Sequence, residues 1–266
     1  MAAAPPPPLS DTSDPVAEAD AILQEAERAG VLLRATGGVA VALLSPSARR
    51  PPLRRGYQDI DFFGLSRDAE DLGAFFGGLG YAPEEEFNVL HGQRRLFFRA
   101  PHGRWEADVF LDRIEMCHQL DMRDRLAGHA RTLSPADLLL SKLQVMDTNE
   151  KDLQDALALL ADHDFGENEG AISLERIDEL CLNDWGWWRT ATLVGGRVRE
   201  AAERLSRGAD AEVADTLAVA GRRLDTLLAH LDEAPKSRRW KMRARIGERK
   251  RWYETPEDIE HEEQGA

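Results

Sequence analysis

Two aspartates separated by one residue, Asp59 and Asp61, lie in the short run Tyr57-Gln58-Asp59-Ile60-Asp61-Phe62-Phe63. The apolar and aromatic composition of this run predicts a β-strand. Because side chains alternate across a strand, both carboxylates would point to one face, about 7 Å apart. Carboxylate oxygens on a rigid element are the ligands that hard divalent cations such as Mg²⁺ prefer. The spacing therefore indicates a metal site that could hold a pair of ions.

A glycine pair lies upstream, where Gly37-Gly38 opens a predicted helix that extends to Leu44. Glycine lets the backbone N–H groups of a helix start come close to a phosphate. A third carboxylate, Asp108, lies in residues 104–111, which predict another strand, and Glu106 on the same face is the alternative. A phosphate-binding turn followed by carboxylate metal ligands is the layout of a phosphoryl-transfer site.

These motifs resemble those of the nucleotidyltransferase superfamily, which has the DNA polymerase beta-like fold. Ala35-Thr36-Gly37-Gly38-Val39-Ala40-Val41 is similar to its glycine motif, Asp59-Ile60-Asp61 to its metal motif, and residues 105–111 to its third element. The resemblance covers roughly residues 16–163, with a spacer of twenty residues between Gly38 and Asp59 that is longer than in many members. It implies an α+β fold in which a mixed β-sheet is flanked by helices and followed by a helical C-terminal region.

The resemblance also implies the chemistry. Asp59, Asp61 and Asp108 would be the catalytic residues and would bind two Mg²⁺ ions, while Gly37 and Gly38 would bind the nucleotide. An NMP would move from an NTP to a hydroxyl acceptor, and pyrophosphate would leave.

A second resemblance concerns two predicted helices. Residues 133–143 contain a Ser-Pro helix start and Lys142, and the next helix includes Lys151-Asp152-Leu153-Gln154-Asp155. Both stretches are similar to AbiEii-type nucleotidyltransferases, the toxin halves of some abortive-infection systems. The similarity implies that Lys142 binds nucleotide phosphates, that Asp152 and Asp155 orient Lys142 or an arginine, and that an antitoxin protein is a partner. The alternative is a surface lysine beside acids that a helix N-terminus favours.

The sequence leaves the acceptor open. RNA suits the AbiEii-like interpretation, whereas the same glycine and aspartate motifs also resemble antibiotic nucleotidyltransferases of the aminoglycoside and lincosamide type, which modify a small molecule. A non-enzymatic alternative is a degenerate relative that binds only nucleotide, RNA or a protein. Four arginines precede the metal motif and could hold the triphosphate or RNA, or simply be solvated: Arg49, Arg50, Arg54 and Arg55.

The composition restricts the class of protein. The chain has 266 residues, 42 % of them hydrophobic, enough for one large or two small domains with a buried core. No apolar run approaches the roughly 20 residues of a membrane helix, and the first residues lack the pattern of a secretory signal. Cys117 and Cys181 are isolated and indicate neither a disulfide framework nor a zinc site. A cytoplasmic protein without membrane contact is therefore the expectation.

The charge is distributed unevenly. The segment from Lys236 to Trp252 contains nine Lys or Arg and one Glu, a net charge of +8 in a chain of −14, so the rest carries −22. Cations alternate with aromatic residues in this segment, which favours neutralisation of an RNA backbone and stacking on bases. The alternative is that the segment docks on the acidic surface of the protein itself.

We predict that the chain divides into four segments, which contain the elements that would position these residues. They are a disordered leader (1–14), a nucleotidyltransferase domain (15–165), a helical region (172–235) and a basic, then acidic tail (236–266). Asp14 and Pro15 begin a helix that Gly30 ends, and Ser134 begins another. Residues 89–100 and 104–111 predict strands joined by a turn at 101–103. Residues 184–206 and 210–232 predict an antiparallel helix pair.

Overall fold

A computed structural model of the chain describes residues 13–255. They divide into two compact units. The first comprises residues 13–44, 56–114 and 121–133, and the second comprises residues 45–55, 115–120 and 134–255. The predicted boundary between 165 and 172 lies inside the second unit. Residues 1–12 of the predicted leader and 256–266 of the predicted tail lie outside the described residues.

The first unit contains a mixed β-sheet and four α-helices among its described residues. Its strands are β1 (Arg34–Ala35), β2 (Ile60–Gly64), β3 (Ala82–Pro83), β4 (Arg95–Arg99) and β5 (Glu106–Leu111). The strand order is β1-β2-β5-β4-β3, in which β2 and β5 are parallel and the other neighbours antiparallel. The helices are α1 (Pro15–Ala29), α2 (Gly37–Leu44), α3 (Ala69–Gly78) and α4 (Glu85–His91). The expected α+β class with a mixed sheet is confirmed.

The two faces of the sheet differ in chemistry. Ile60 and Phe62 of β2 are fully buried, and the Phe62 ring meets Phe76 of α3 edge-on at 5.8 Å. Phe98 of β4 stacks on the same Phe76 ring at 4.5 Å. Because side chains alternate along each strand, this apolar packing of one face leaves the intervening residues, Asp61 among them, on the other face.

One predicted strand is wrong at its start. Residues 89–91 belong to α4, and the strand begins only at Arg95. The apolar pair Val89 and Leu90 suggested a strand, yet both side chains are exposed on the helix. Three glutamates before them favour a helix N-terminus. The Asn88 amide then exchanges two hydrogen bonds with the backbone of Phe97, at 2.7 and 3.1 Å, which attaches α4 to β4.

The second unit consists mainly of helices. They are α5 (Pro135–Leu143), α6 (Glu150–Asp162), α7 (Leu174–Cys181), α8 (Trp185–Ser206), α9 (Ala211–Glu233) and α10 (Arg238–Ile246). The predicted antiparallel pair is confirmed, since Trp188 near the start of α8 donates to the carbonyl of Leu231 near the end of α9.

Two short strands, β6 (Arg113–Glu115) and β7 (Gln119–Asp121), form a separate sheet. None of the helices between residues 13 and 255 combines the length and apolar character needed to cross a bilayer.

Candidate active site

The Asp-x-Asp motif lies where β2 begins. Asp61 is the second residue of the strand. Asp59 is the last residue before the strand begins, and its side chain is exposed. In the parallel pairing of β2 with β5, Asp61 is the register partner of Asp108. Parallel neighbours lie about 4.8 Å apart and point to the same face. The sheet thus brings two of the three predicted carboxylates side by side, with the third two residues before one of them.

Gly37 lies so close to the Asp61 carboxylate that a side chain on residue 37 would have no room. A Cβ atom built on Gly37 would lie 2.0 Å from Asp61 Oδ2, a distance that no real Cβ atom tolerates. The Thr36 N–H donates to the Asp61 carbonyl at 2.9 Å, which fixes the approach of the two segments. Gly38 is buried in the first turn of α2. The glycine pair therefore places the N-terminus of α2 directly against Asp61, where its N–H groups favour negative charge.

Asp108 is paired with an arginine that the sequence analysis did not select. Arg95 Nε donates to Asp108 Oδ1 at 2.7 Å, and Arg95 Nη2 donates to Oδ2. Burial raises the pKa of Asp108 above its ordinary value, and the Asp59 charge adds to this, although Arg95 acts in the opposite direction. The hydrogen bonds to Asp108, together with the charges of Asp61 and Asp59, raise the pKa of Arg95. Three carboxylates and one guanidinium thus form a single electrostatic cluster.

Two aromatic rings hold the Arg95 guanidinium in place. Its carbon lies 4.9 Å from the centre of the Phe110 ring and 5.7 Å from that of Phe87. Arg95 is the register partner of Phe110 on the neighbouring strand, so Asp108 is its diagonal neighbour. The predicted hairpin of residues 89–100 and 104–111 was the available signal, because the register of its two strands would have placed Arg95 beside Asp108.

Glu106, the alternative third carboxylate, lies at the exposed start of β5. Its nearest cation is Arg99, at 4.0 Å. In the register of the sheet it is two residues away from the Asp61–Asp108 pair. The cluster around Asp61 is therefore completed by Asp108.

The donor set fits a hard cation in chemistry, because it consists of carboxylate oxygens on adjacent strands. In the part of the chain that the structure describes, no three His, Cys, Asp or Glu side chains are arranged so that they could hold a metal ion. Both oxygens of Asp108 accept from Arg95. A metal ion at Asp108 would therefore share these oxygens with the guanidinium or displace it.

Lys142 belongs to a buried ion network in the second unit. Its Nζ lies 2.9 Å from a carboxylate oxygen of Asp152 and 2.9 Å from one of Asp155. Arg55 binds Asp155 with two hydrogen bonds, at 2.9 and 2.8 Å. Asp152 thus orients Lys142, and Asp155 orients both Lys142 and Arg55, whereas the resemblance implied Lys142 or an arginine. Asp59 and Lys142 lie in different units, and the phosphate-binding role of Lys142 stays a prediction.

The charges of this network stabilise one another. Burial alone would raise the pKa of Asp155, but Lys142 and Arg55 hold that pKa below its ordinary value. Burial would likewise lower the pKa of Lys142, and the charges of Asp155 and Asp152 keep it raised instead. Lys142 and Asp155 are therefore both ionised at neutral pH.

The arginine-rich loop 45–55 is attached to α6 rather than simply solvated. Ser47 donates to Asp162 through its backbone N–H and its hydroxyl, at 2.8 and 2.7 Å. Gln154 donates to the carbonyl of Pro52 at 3.2 Å. With Arg55 bound to Asp155, each end of the loop has a partner on or next to α6. No local sequence signal predicts this attachment, because the partners are at least 100 residues apart.

The cysteines and most histidines take no part in these clusters. Cys117 and Cys181 are free thiols, both buried, and burial raises the pKa of each.

Comparisons of the chain with protein-family models, with curated proteins and with solved structures find no match.

Proposed function

We propose that the protein is a magnesium-dependent nucleotidyltransferase of the superfamily fold that its motifs resemble. One observation carries the proposal: Asp61 and Asp108 are register partners on adjacent parallel strands, and Gly37 at the start of α2 touches the Asp61 carboxylate. A helix N-terminus, two adjacent carboxylates and a third two residues away form one polar surface on a rigid sheet. These are the parts that transfer of a charged phosphoryl group requires.

The residues of the chain would act mainly by binding and orientation. Asp59, Asp61 and Asp108 would hold two Mg²⁺ ions, which, when bound, neutralise the charge of the triphosphate and of the attacking oxygen. Backbone N–H groups of Gly37 and Gly38 would donate to phosphate oxygens. The acceptor oxygen would bond to the α-phosphorus of the NTP while the bond to the β-phosphate oxygen breaks. Pyrophosphate would leave, and the acceptor proton would pass to a carboxylate or to water.

The test is transfer of label from each α-³²P-labelled NTP, with Mg²⁺, to total RNA, aminoglycosides or lincosamides. Asp61→Asn and Asp108→Asn should abolish transfer. The matched control is Asp124→Asn, which changes an exposed aspartate of the same unit and should leave transfer intact. Equal transfer by Asp61→Asn and the wild type would contradict the proposal, as would the absence of labelled product from all acceptors.

Nucleotide binding without transfer is a second candidate, favoured by the Arg95–Asp108 pair. A guanidinium that keeps Asp108 occupied would leave the N-terminus of α2 able to bind phosphate while the metal site stays incomplete. In that case the protein should bind NTP without Mg²⁺ and yield no product. Because Arg95→Gln frees Asp108, transfer by this variant but not by the wild type would identify the guanidinium as the cause of inactivity.

A further inference from the structure

The basic segment that follows α9 forms an ordered part of the second unit. Ser237 caps α10 by accepting from the backbone N–H of Trp240 at 3.2 Å, and the Ser237 N–H donates to the carbonyl of Leu182 at 3.0 Å. Further along, the Glu254 N–H donates to the carbonyl of Cys117 at 3.1 Å. The segment is thus attached to its unit at both ends.

Its tryptophans face the protein. Trp240 packs edge-on against Trp188 of α8, with ring centres 5.2 Å apart, and Trp252 packs likewise against Trp185 at 5.6 Å. Trp252 Nε1 also donates to Thr190 Oγ1 at 3.1 Å. These rings anchor the segment to α8, so they are not free to stack on nucleic-acid bases as the sequence suggested.

The cations, in contrast, face solvent. Five of them, called the α10 surface below, are exposed: Arg238, Lys241, Arg245, Arg249 and Lys250. Between residues 13 and 255, none of the five has a side-chain hydrogen bond, an ion pair or a ring contact. The exposed arginines of α8 are different, because Arg199 and Arg204 are each paired with a carboxylate.

Stability of the helix does not explain these charges. Arg238 lies in the first turn of α10, directly after the cap residue Ser237. Cations at a helix N-terminus oppose the helix dipole. Unpaired like charges on one helix also repel each other. Among residues 13–255 the arrangement is therefore unfavourable by itself and favourable when a polyanion is bound.

We propose that the α10 surface binds the phosphate backbone of single-stranded RNA. Cations on consecutive turns neutralise successive phosphates without reading a sequence. Nucleic acid can bind independently of catalysis, and only the choice of RNA rests on the proposed function, in which RNA is a candidate hydroxyl acceptor. Binding is tested without NTP, so its failure is distinct from failure of transfer.

An anionic membrane is the less suitable partner. Helices that lie on membranes direct aromatic and apolar side chains into the lipid. On α10 the Trp240 ring is turned towards α8, and the exposed apolar side chains are Met242 and Ile246 alone. Two such side chains among five cations bury little apolar area in a bilayer.

The experiment measures fluorescence anisotropy of a labelled single-stranded RNA oligonucleotide with the full chain over a series of salt concentrations. The test variant changes three cations of the α10 surface: Arg238→Gln, Lys241→Gln and Arg245→Gln. The control removes the same charge from three exposed arginines elsewhere: Arg67→Gln, Arg207→Gln and Arg222→Gln. All six side chains are exposed, and circular dichroism checks that each variant folds.

The test variant should lose about two units of the log–log salt slope and bind about 100-fold more weakly near 0.1 M salt, at roughly 0.7 per phosphate contact. The control should keep the wild-type slope. Arg238→Lys with Arg245→Lys should bind like the wild type, because the charge is conserved.

Three results would overturn the proposal: wild-type protein that does not bind RNA, a test variant with the wild-type slope, or a control that loses as much as the test variant. Because phosphate contacts do not distinguish RNA from DNA, DNA of the same sequence should bind about as tightly, and a large preference for DNA would overturn the choice of RNA. Binding to phosphatidylserine vesicles but not to RNA would identify the α10 surface as a membrane site instead.

Discussion

Gly37 and Asp61 are so close that a Cβ atom on residue 37 would lie 2.0 Å from Asp61 Oδ2. The backbone of Gly37 also has φ of +64°, in the left-handed region that side chains disfavour. Two independent requirements therefore select glycine here: the backbone conformation and the space that the carboxylate occupies. The same contact that brings α2 to β2 also sets the position of a predicted metal ligand.

Gly37→Ala should lower the free energy of unfolding and weaken divalent-cation binding. The left-handed conformation alone costs about 1–2 kcal/mol for a residue with a Cβ atom, and the new methyl group must also push the Asp61 carboxylate away. Urea denaturation and Mn²⁺ titration measure the two effects. Gly73→Ala is the matched control, because a Cβ atom on Gly73 in α3 meets nothing within 4 Å. Wild-type stability and Mn²⁺ affinity in Gly37→Ala would contradict the assignment.

Arg95→Gln should bind Mn²⁺ more tightly than the wild type. The guanidinium competes with a metal for both oxygens of Asp108, and its positive charge repels a cation. The variant should also be less stable, by about 1–3 kcal/mol, because the buried Asp108 loses its partner; the lower end of this range is expected since Arg95 is 42 % exposed. Isothermal titration calorimetry with Mn²⁺ measures the affinity.

Arg99→Gln is the control for Arg95→Gln. Arg99 lies on the same face of β4, and its close partner is Glu84 at 2.6 Å rather than Asp108. It should leave Mn²⁺ affinity unchanged. If Arg95→Gln binds Mn²⁺ no better than Arg99→Gln does, the guanidinium does not compete with the metal.

Local signals in the sequence predicted helices and strands better than they predicted contacts between distant residues. Ser134 accepts from the Asp137 N–H at 3.0 Å and Asp14 from the Val16 N–H at 3.0 Å, as expected from cap residues followed by proline. The strand that carries Asp61 was recognisable for the same reason: its alternation is local. Arg95 was missed because its role depends on a register between two strands, which the mistaken strand start at residue 89 obscured.

The partner that a side chain contacts depended on residues far away in the sequence. The alternation of cations and tryptophans after residue 236 suited RNA stacking as well as docking, and only the packing of Trp240 on Trp188 distinguishes the two. Likewise, nothing in residues 45–55 indicates that Arg55 pairs with Asp155, 100 residues away. Such contacts arise from tertiary packing, which a single sequence does not specify by periodicity.

Acid should destabilise the second unit through His118. Its ring stacks on Trp187 at 4.8 Å, its Nε2 lies 2.8 Å from Thr190 Oγ1, and burial lowers its pKa from 6.5 to about 4. A histidine with a lowered pKa in the folded state contributes stability above its unfolded pKa of 6.5, and this is lost as the pH falls through about 4. The loss should be on the order of 3 kcal/mol.

His118→Phe should remove this part of the pH dependence. Phenylalanine keeps a ring against Trp187 but cannot take up a proton. Urea denaturation near neutral pH and near pH 4 should show a smaller decrease in the free energy of unfolding for the variant than for the wild type. Parallel pH profiles for the two proteins would show that the pKa of His118 is not lowered in the folded protein.

Lys142 has three N–H donors, and two of them are used by Asp152 and Asp155. Asp155→Ala should destabilise the protein by about 3–5 kcal/mol, because Lys142 and Arg55 both lose a buried partner. Lys142→Met should be milder, since Asp155 keeps its two hydrogen bonds to Arg55.

The Lys142→Met variant also separates the two roles of the lysine. If the third donor binds a phosphate, Lys142→Met should raise KM for NTP while kcat stays near the wild-type value, since the contact exists in the ground state and the transition state alike. If KM is unchanged and only the free energy of unfolding falls, Lys142 is an internal counter-ion, and phosphate binding must be sought at the N-terminus of α2.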